Sequence, residues 1–193
     1  MPPVATTTSS RPPLTAARTL QQPGAPAALR IDSRHMARGR HLRLQLLPGH
    51  NLFDAVVQPL AALGIRHAAI ALLGGWLDRA QYCVSVPDTA GLALLTHSAP
   101  ITTGPVCLAS ANATLAQGLD GQPLLHCHAA LYATGGAMRG GHLLMQHCWV
   151  GGDLGGDAGA AITARVTPFD GFVLRAAFDD ETQLPLVQPF DLP

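Results

Sequence analysis

The stretch LLHCHAALYATGGAMRGGHLL (residues 124–144) places a glycine-rich turn between two segments of alternating or apolar side chains. Successive side chains of a β-strand point to opposite faces of a sheet, so His126 and His128 share one face and Cys127 lies on the other. The loop must reverse the chain, and a hairpin centred on its first glycine places His128 opposite His142. The sequence therefore predicts a β-hairpin that brings three histidines together.

Three imidazoles in this arrangement suit a metal ion. Strand rise separates the Cα atoms of His126 and His128 by about 6.6 Å, and both rings can then reach one ion at Zn–N distances of roughly 2.0–2.1 Å. Three neutral ligands would leave the fourth position of tetrahedral zinc open, as in catalytic or ligand-binding centres. The alternative is that the histidines only form hydrogen bonds, because an HxH pattern arises easily in a chain with nine histidines. The spacing alone leaves both interpretations open.

Neighbouring residues refine this hypothesis. Cys127 is predicted to face away from the metal and not to be a ligand. Gly140 and Gly141 remove side chains just before His142, which would give room for a bulge or an approaching ligand. His147, five positions beyond His142, has the wrong offset for the same face and is the weakest ligand candidate.

Composition bounds the class of protein. The chain has 193 residues, 48% of them hydrophobic and 12% charged, which predicts one domain with tails. Every apolar run is shorter than the roughly 18 residues of a membrane span, so we expect a cytoplasmic protein. The four cysteines show no CxxC spacing, which argues against a zinc knuckle or a thioredoxin-like pair and favours reduced thiols.

The charge is unevenly distributed although the net charge is zero. Residues 1–43 hold seven arginines and one acid, whereas residues 44–193 hold five arginines and eleven acids. The sequence thus predicts a basic N-terminal arm, +6, on a mildly acidic body, −6.

The remaining organisation indicates one domain. Residues 1–33 are rich in Pro, Ser, Thr and Ala and are predicted to be a disordered basic tail, with an organelle transit peptide as the alternative. Residues 34–193 form the domain. NLFDAVVQPLAALG (51–64) predicts a helix capped by Asn51 and ended by Gly64.

About eight strands are predicted around this helix, among them HLLMQHCWV (142–150) as one continuous strand. The predicted class is α+β, mostly antiparallel sheet with one main helix. GGDLGGDAGA (151–160) is too rich in glycine for regular structure and is predicted to be a flexible loop, or a close backbone approach to a ligand or subunit.

Four segments follow one another along the sequence, and they are LPGHNLFDAV, IALLGGWLDRAQYCV, DGQPLLHCHAAL and RGGHLLM. Together these segments of the chain resemble the plant and prokaryote conserved (PPC) domain. The resemblance spans about residues 34–190. It implies a compact α+β fold, similar to that of acetolactate decarboxylase, that assembles as a homotrimer. It also implies a metal site, usually zinc with other divalent metals possible, at His126, His128 and His142.

The resemblance to the PPC family offers DNA as a partner. Plant members join the domain to AT-hooks and bind DNA, whereas prokaryotic members usually lack the hooks. Arg38-Gly39-Arg40 is similar to the hook core R-G-R-P, with His41 in place of proline, which makes Arg38 and Arg40 candidate DNA contacts. The alternative is a strand start with two solvent-facing arginines. The first functional hypothesis is therefore a trimeric, metal-binding, bacterial regulator, for which the basic arm favours DNA binding and the acidic body opposes it.

The second hypothesis is a metal-dependent enzyme or small-ligand binder of the acetolactate decarboxylase type. Zinc would polarise a carbonyl, and Arg139 could pair with a substrate anion, unless it is simply a solvated hairpin arginine. His50, Asp153 and Glu181 are candidates for acid–base roles. Family members often carry a glutamate after the G-G-H-L motif; here the strand AITARV has no acid, so Asp153 or Asp157 would have to replace it.

A third hypothesis is a structural trimer whose histidines only form hydrogen bonds. The sequence leaves the question of enzymatic activity open and favours a non-enzymatic role.

Overall fold

A computed structural model describes residues 21–29, 31–133, 135–151 and 161–193 of the chain. Strands dominate it, accompanied by the helix α1 (Leu52–Ala62) and a single 3-10 turn (Met145–His147). The strands are β1 (Leu42–Leu46), β2 (Ala68–Leu73), β3 (Trp76–Cys83), β4 (Ser85–Pro87), β5 (Leu95–His97), β6 (Ile101–Thr103), β7 (Val106–Gln117), β8 (Pro123–Ala133), β9 (Met138–Leu143), β10 (Trp149–Val150), β11 (Ile162–Pro168), β12 (Val173–Asp179) and β13 (Leu184–Phe190).

Eleven strands form one sheet with the order β1-β11-β2-β7-β8-β9-β3-β10 along its main path. The long strands β7 and β8 pair antiparallel at its centre, and β3 pairs with β9 at one end and with β7 at the other. β6 adds to β3, and the β12–β13 hairpin joins the end of β7. β4 and β5 form a separate two-stranded sheet. The predicted α+β class with mostly antiparallel sheet is confirmed.

The helix begins and ends where the sequence indicated. The Asn51 side chain caps it, because its Oδ1 accepts a hydrogen bond from the Asp54 backbone N–H at 2.8 Å. Gly64 terminates the turn that follows, with φ +71° and its N–H bonded to the Ala61 carbonyl. One side of α1 is fully buried, at Leu52, Val56 and Leu60. These side chains belong to the same core as the inward-facing residues of β8, so the helix covers the face of β8 that carries Cys127.

The predicted strand at 142–150 is wrong. β9 ends at Leu143, the 3-10 turn follows, and β10 has two residues. The physical reason is that Met145 and Cys148 are both buried, three positions apart. A 3-10 helix has three residues per turn and can send both side chains inward, which strand alternation cannot.

The strand count is also corrected, since the described residues hold thirteen strands where about eight were expected. Several of the additional strands are three residues or fewer, below the length at which alternation is recognisable. β13 is longer, but its sequence LPLVQPF contains Pro185 and Pro189, which argue against a strand unless it lies at an edge. It does lie at an edge, paired with β12.

Part of the predicted tail contacts the domain. The backbone N–H of Gly24 bonds to the Glu181 carbonyl at 2.9 Å, and that of Ala27 bonds to the Glu181 side chain at 2.8 Å. Glu181 thus connects residues 21–29 to the β12–β13 turn. Asp153, Asp157 and most of the Gly-rich segment lie outside the described residues. In the parts of the chain that are described, no helix is long and apolar enough to cross a membrane.

Candidate metal centre

The β8–β9 hairpin has the register that the sequence predicts. His128 pairs with His142, Ala129 with Gly141, and Tyr132 with Met138, so the pairing is centred on position 135. Gly135 adopts a positive φ of 96°, which the turn requires and a glycine permits. The predicted approach of His128 and His142 follows directly from this register.

The three imidazoles form one group. The ring centroids of His126 and His128 are 4.8 Å apart, those of His126 and His142 are 4.7 Å apart, and those of His128 and His142 are 5.6 Å apart. One ligand nitrogen from each ring lies within 4.8 Å of the others. Rings bound tetrahedrally at Zn–N distances of 2.0–2.1 Å would have centroids roughly 5.2 Å apart. The observed spacing therefore fits three ligands of one ion.

The electrostatics of the group favour the neutral form of two of its rings. Partial desolvation lowers the pKa of His142 to about 4, helped by repulsion from His126, His97 and His128. Desolvation also lowers the pKa of His126, followed by the effects of His128 and His97. A neutral imidazole is the form that binds a metal, so these rings compete little for protons near neutral pH.

One atom of the group is both buried and without a hydrogen bond. Nδ1 of His142 is buried and has no partner among the described residues. Leaving a buried polar atom unpaired costs about 1–3 kcal/mol, and coordination to a metal would remove that cost. His126 and His128 are solvent-exposed and His142 is half-buried, so an ion has a route to the group.

Gly140 and Gly141 hold β9 between its neighbours. A Cβ on Gly140 would lie 2.3 Å from the Ala129 carbonyl oxygen, and one on Gly141 would lie 2.2 Å from the Cys83 carbonyl oxygen. The expected space for a bulge or a ligand is thus filled by the backbones of β8 and β3. Glycine is needed here because the strands approach too closely for any side chain, and this approach fixes the position of His142.

The family follows from sequence comparison. A family model for the Plants and Prokaryotes Conserved domain, abbreviated PCC or PPC, matches residues 33–154, well over half of the chain. The chain belongs to this family. The match ends before β11, whereas the resemblance from motifs was expected to continue to about residue 190. A search of curated protein sequences finds no significant match.

Solved structures show the PPC fold over a longer part of the chain. A PPC protein from Pyrococcus horikoshii aligns with a TM-score of 0.60 at 18% identity, covering 82% of this chain and 100% of its own. A metal-containing protein from Archaeoglobus fulgidus aligns at 0.61 and 22%, covering 83% and 99%. A candidate DNA-binding protein from Ralstonia eutropha aligns at 0.57 and 21%, covering 78% and 90%. At these identities the likeness concerns the fold.

Cys127 lies on the face of the PPC sheet opposite the imidazoles, as alternation predicts. It is fully buried, and desolvation, followed by the neighbouring Cys148, raises the pKa of its thiol to about 12. A thiol so hard to ionise is a poor metal ligand, since a metal binds the thiolate.

Four other predicted site residues, all within the described part of the chain, lie outside the three-histidine group. Arg139 pairs with the fully buried Leu131, which puts it by register on the face away from the imidazoles. His147 is exposed on the 3-10 turn. Arg38 is exposed before β1, and the exposed Arg40 forms a bidentate pair with Asp170 at 2.7 and 2.9 Å. Their proposed roles in ligand and DNA binding remain predictions.

Sequence reasoning missed His97. This residue ends β5, and its ring lies 4.9 Å from that of His142 with an interplanar angle of 32°. The β4–β5 hairpin reaches the group because β4 follows β3 almost directly, and Cys83 at the end of β3 pairs with His142. That pairing is long-range, and the local sequence GLALLTH carries no signal of it.

Proposed function

We propose that this PPC-domain protein binds one divalent metal ion, zinc in the first place, through His126, His128 and His142. The observation that carries this proposal is the half-buried His142 with its unpartnered Nδ1, gathered with two exposed imidazoles within 4.8 Å. Imidazole suits zinc, copper, iron and nickel, and tetrahedral zinc would retain an open fourth position. The metal-containing relative from Archaeoglobus fulgidus supports the proposal.

Elemental analysis of protein purified without a histidine tag tests this metal centre. After growth with added metals, we expect close to one equivalent of a divalent metal per chain. His128→Ala should lose the ion and the thermal stability that it adds, because metal binding to the folded state contributes to folding free energy. His147→Ala is the matched control, since His147 is exposed and outside the group. Less than about a tenth of an equivalent in the parent protein would contradict the proposal.

We further propose that the protein is a homotrimer. Support comes from an exposed apolar pair on the hairpin that carries the site, because Tyr132 and Met138 are cross-strand neighbours that are 47% and 61% exposed. Large exposed side chains of this kind are enriched at subunit contacts. Light scattering should give a mass near three times 20.1 kDa. A monomer mass at micromolar concentration would contradict this part of the proposal.

A regulatory role with DNA as partner is the functional hypothesis that the basic arm supports, against the acidic body. The +6 arm of residues 1–43 would be present three times in a trimer, and multivalent attachment raises avidity. The Ralstonia relative is a candidate DNA-binding protein. Binding should appear as a salt-dependent mobility shift with duplex DNA, because phosphate neutralisation releases counterions.

Deletion of residues 1–40 should abolish that shift while leaving metal binding intact. DNA whose mobility is unchanged at low salt would rule out the DNA partner, and a shift that survives the deletion would place the contact on the body.

A second candidate function is metal-dependent chemistry on a small ligand. It is favoured by a pocket beside the imidazoles, lined by Cys83, Val84, Ser85, His128, Gly141 and His142. A metal there would polarise a carbonyl or bind a carboxylate of the ligand, and the residues that line the pocket would orient that ligand. Metal-dependent turnover of a 2-keto or 2-hydroxy acid, lost in His128→Ala, would establish it. Identical product formation by the parent and His128→Ala would contradict it.

A further inference from the structure

The β4–β5 hairpin brings a fourth histidine next to His142 of the three-histidine group. His97 is exposed at the end of β5, where it pairs with Ser85. The backbone of this region is held at its base, because the Ser98 N–H bonds to the Val84 carbonyl at 2.9 Å and the Val84 N–H bonds to the Ser98 hydroxyl at 3.2 Å. The imidazole therefore projects from an ordered support.

His97 is close enough to the three-histidine group to be a candidate for a further metal ligand. Its ring centroid is 4.9 Å from that of His142, inside the range of 4.7 to 5.6 Å spanned by the other three rings. His97 is not among the residues whose ligand atoms lie within 4.8 Å of one another, so its side chain would have to turn toward the group to reach a shared ion.

We propose that His97 is a fourth nitrogen ligand, which closes the open position of the metal held by His126, His128 and His142. This inference rests on the proposed metal centre. An imidazole attached to the chain is present at a high effective concentration and should displace water from the fourth position. Four neutral nitrogens complete the tetrahedron that zinc prefers. Because His97 is exposed and carried on a separate two-stranded sheet, a stronger external ligand can displace it without disturbing the core.

X-ray absorption of the zinc-loaded parent protein tests the proposal by counting its ligands. We expect four imidazoles in the parent and three imidazoles with one solvent atom in His97→Ala. Zinc affinity, measured by competition with a chelator, should fall at least about tenfold, the scale seen when groups that support metal ligands are removed. The cobalt-substituted proteins should show a matching difference in their visible spectra.

His35→Ala is the matched control, because His35 is exposed, outside the group and without a proposed role. The metal-free His97→Ala protein should melt at the same temperature as the parent, which separates loss of a ligand from loss of the fold. Three imidazoles in the parent, together with unchanged zinc affinity in His97→Ala, would overturn the proposal for His97 while leaving the three-histidine centre intact. A parent protein that binds no metal would overturn both.

Discussion

His128 lies directly opposite His142 in the β8–β9 hairpin, although the two are fourteen positions apart along the chain. Cross-strand neighbours share a face of the sheet, so this one pairing joins the two motifs into a single group of imidazoles. His126 enters the same group because it is two positions from His128 on β8. The geometry of the candidate metal centre therefore depends on the register of one hairpin.

Gly141→Ala should destabilise the protein and weaken metal binding. The new Cβ would meet the Cys83 carbonyl oxygen at 2.2 Å, and φ of 153° is unfavourable for other residues. Overpacking of this kind costs roughly 1–3 kcal/mol, and displacement of β9 would move His142. Urea denaturation and zinc titration measure the two effects. Gly104→Ala is the control, because nothing lies within 4 Å of its Cβ position; equal effects of both substitutions would contradict the prediction.

Cys127→Ala should retain the metal although it removes a side chain between two proposed ligands. The thiol is fully buried on the opposite face, so its loss leaves a small void worth on the order of 1 kcal/mol. His126→Ala, one position earlier and on the imidazole face, should lose the metal. Zinc content and denaturation midpoints of both variants provide the measurement. If Cys127→Ala lost its metal and His126→Ala kept its zinc, the metal would lie on the opposite face of β8 from the one assigned here.

The metal-free protein should become less stable as pH falls from about 6.5 to about 4. The pKa of His142 is about 4 in the folded state, against 6.5 for an unperturbed histidine. Between these values the unfolded chain binds a proton that the folded chain does not, so the free energy of unfolding rises with pH across this interval. Denaturation at several pH values measures the slope. His142→Asn should flatten the slope, and an equally steep slope in this variant would contradict the prediction.

Asp170→Asn should tighten DNA binding if Arg40 is one of the contacts. The bidentate bond from Arg40 to Asp170 holds the guanidinium and keeps the pKa of the carboxyl below its usual range. The amide introduced by Asp170→Asn would free Arg40 to contact a DNA phosphate. The slope of the logarithm of the binding constant against the logarithm of the salt concentration should then steepen by about one unit. Asp120→Asn makes the same change of charge at the exposed turn between β7 and β8. Equal binding by the two variants would remove Arg40 from the interface.

The parts of the fold that could be predicted depend on local signals. Alternation along β8, the glycines of the turn and the Asn51 cap act between residues close in sequence, and each was confirmed. The 3-10 turn was missed because its apolar residues imitate a strand unless the burial of Met145 and Cys148 is known. β13 was missed because its prolines conceal an edge strand.

The residues of the candidate site also divide into those that local sequence signals predict and those that they do not. Three of its histidines lie on one hairpin, and their grouping could be worked out from local geometry. His97 arrives through the pairing of Cys83 with His142, a contact between residues far apart in sequence that no periodicity reveals. The prediction for Gly141, room for a bulge or a ligand, failed for the same reason. The carbonyl that excludes a side chain at this position belongs to Cys83 on β3, which is far away in sequence.

The buried Cys127 has a consequence for folding fidelity. A slip of β8 by one residue would turn every side chain to the opposite face, burying two imidazoles and exposing this thiol to solvent. Its reactivity towards an alkylating reagent is therefore an intrinsic reporter of strand register, silent in the correctly paired hairpin and active in a misregistered one.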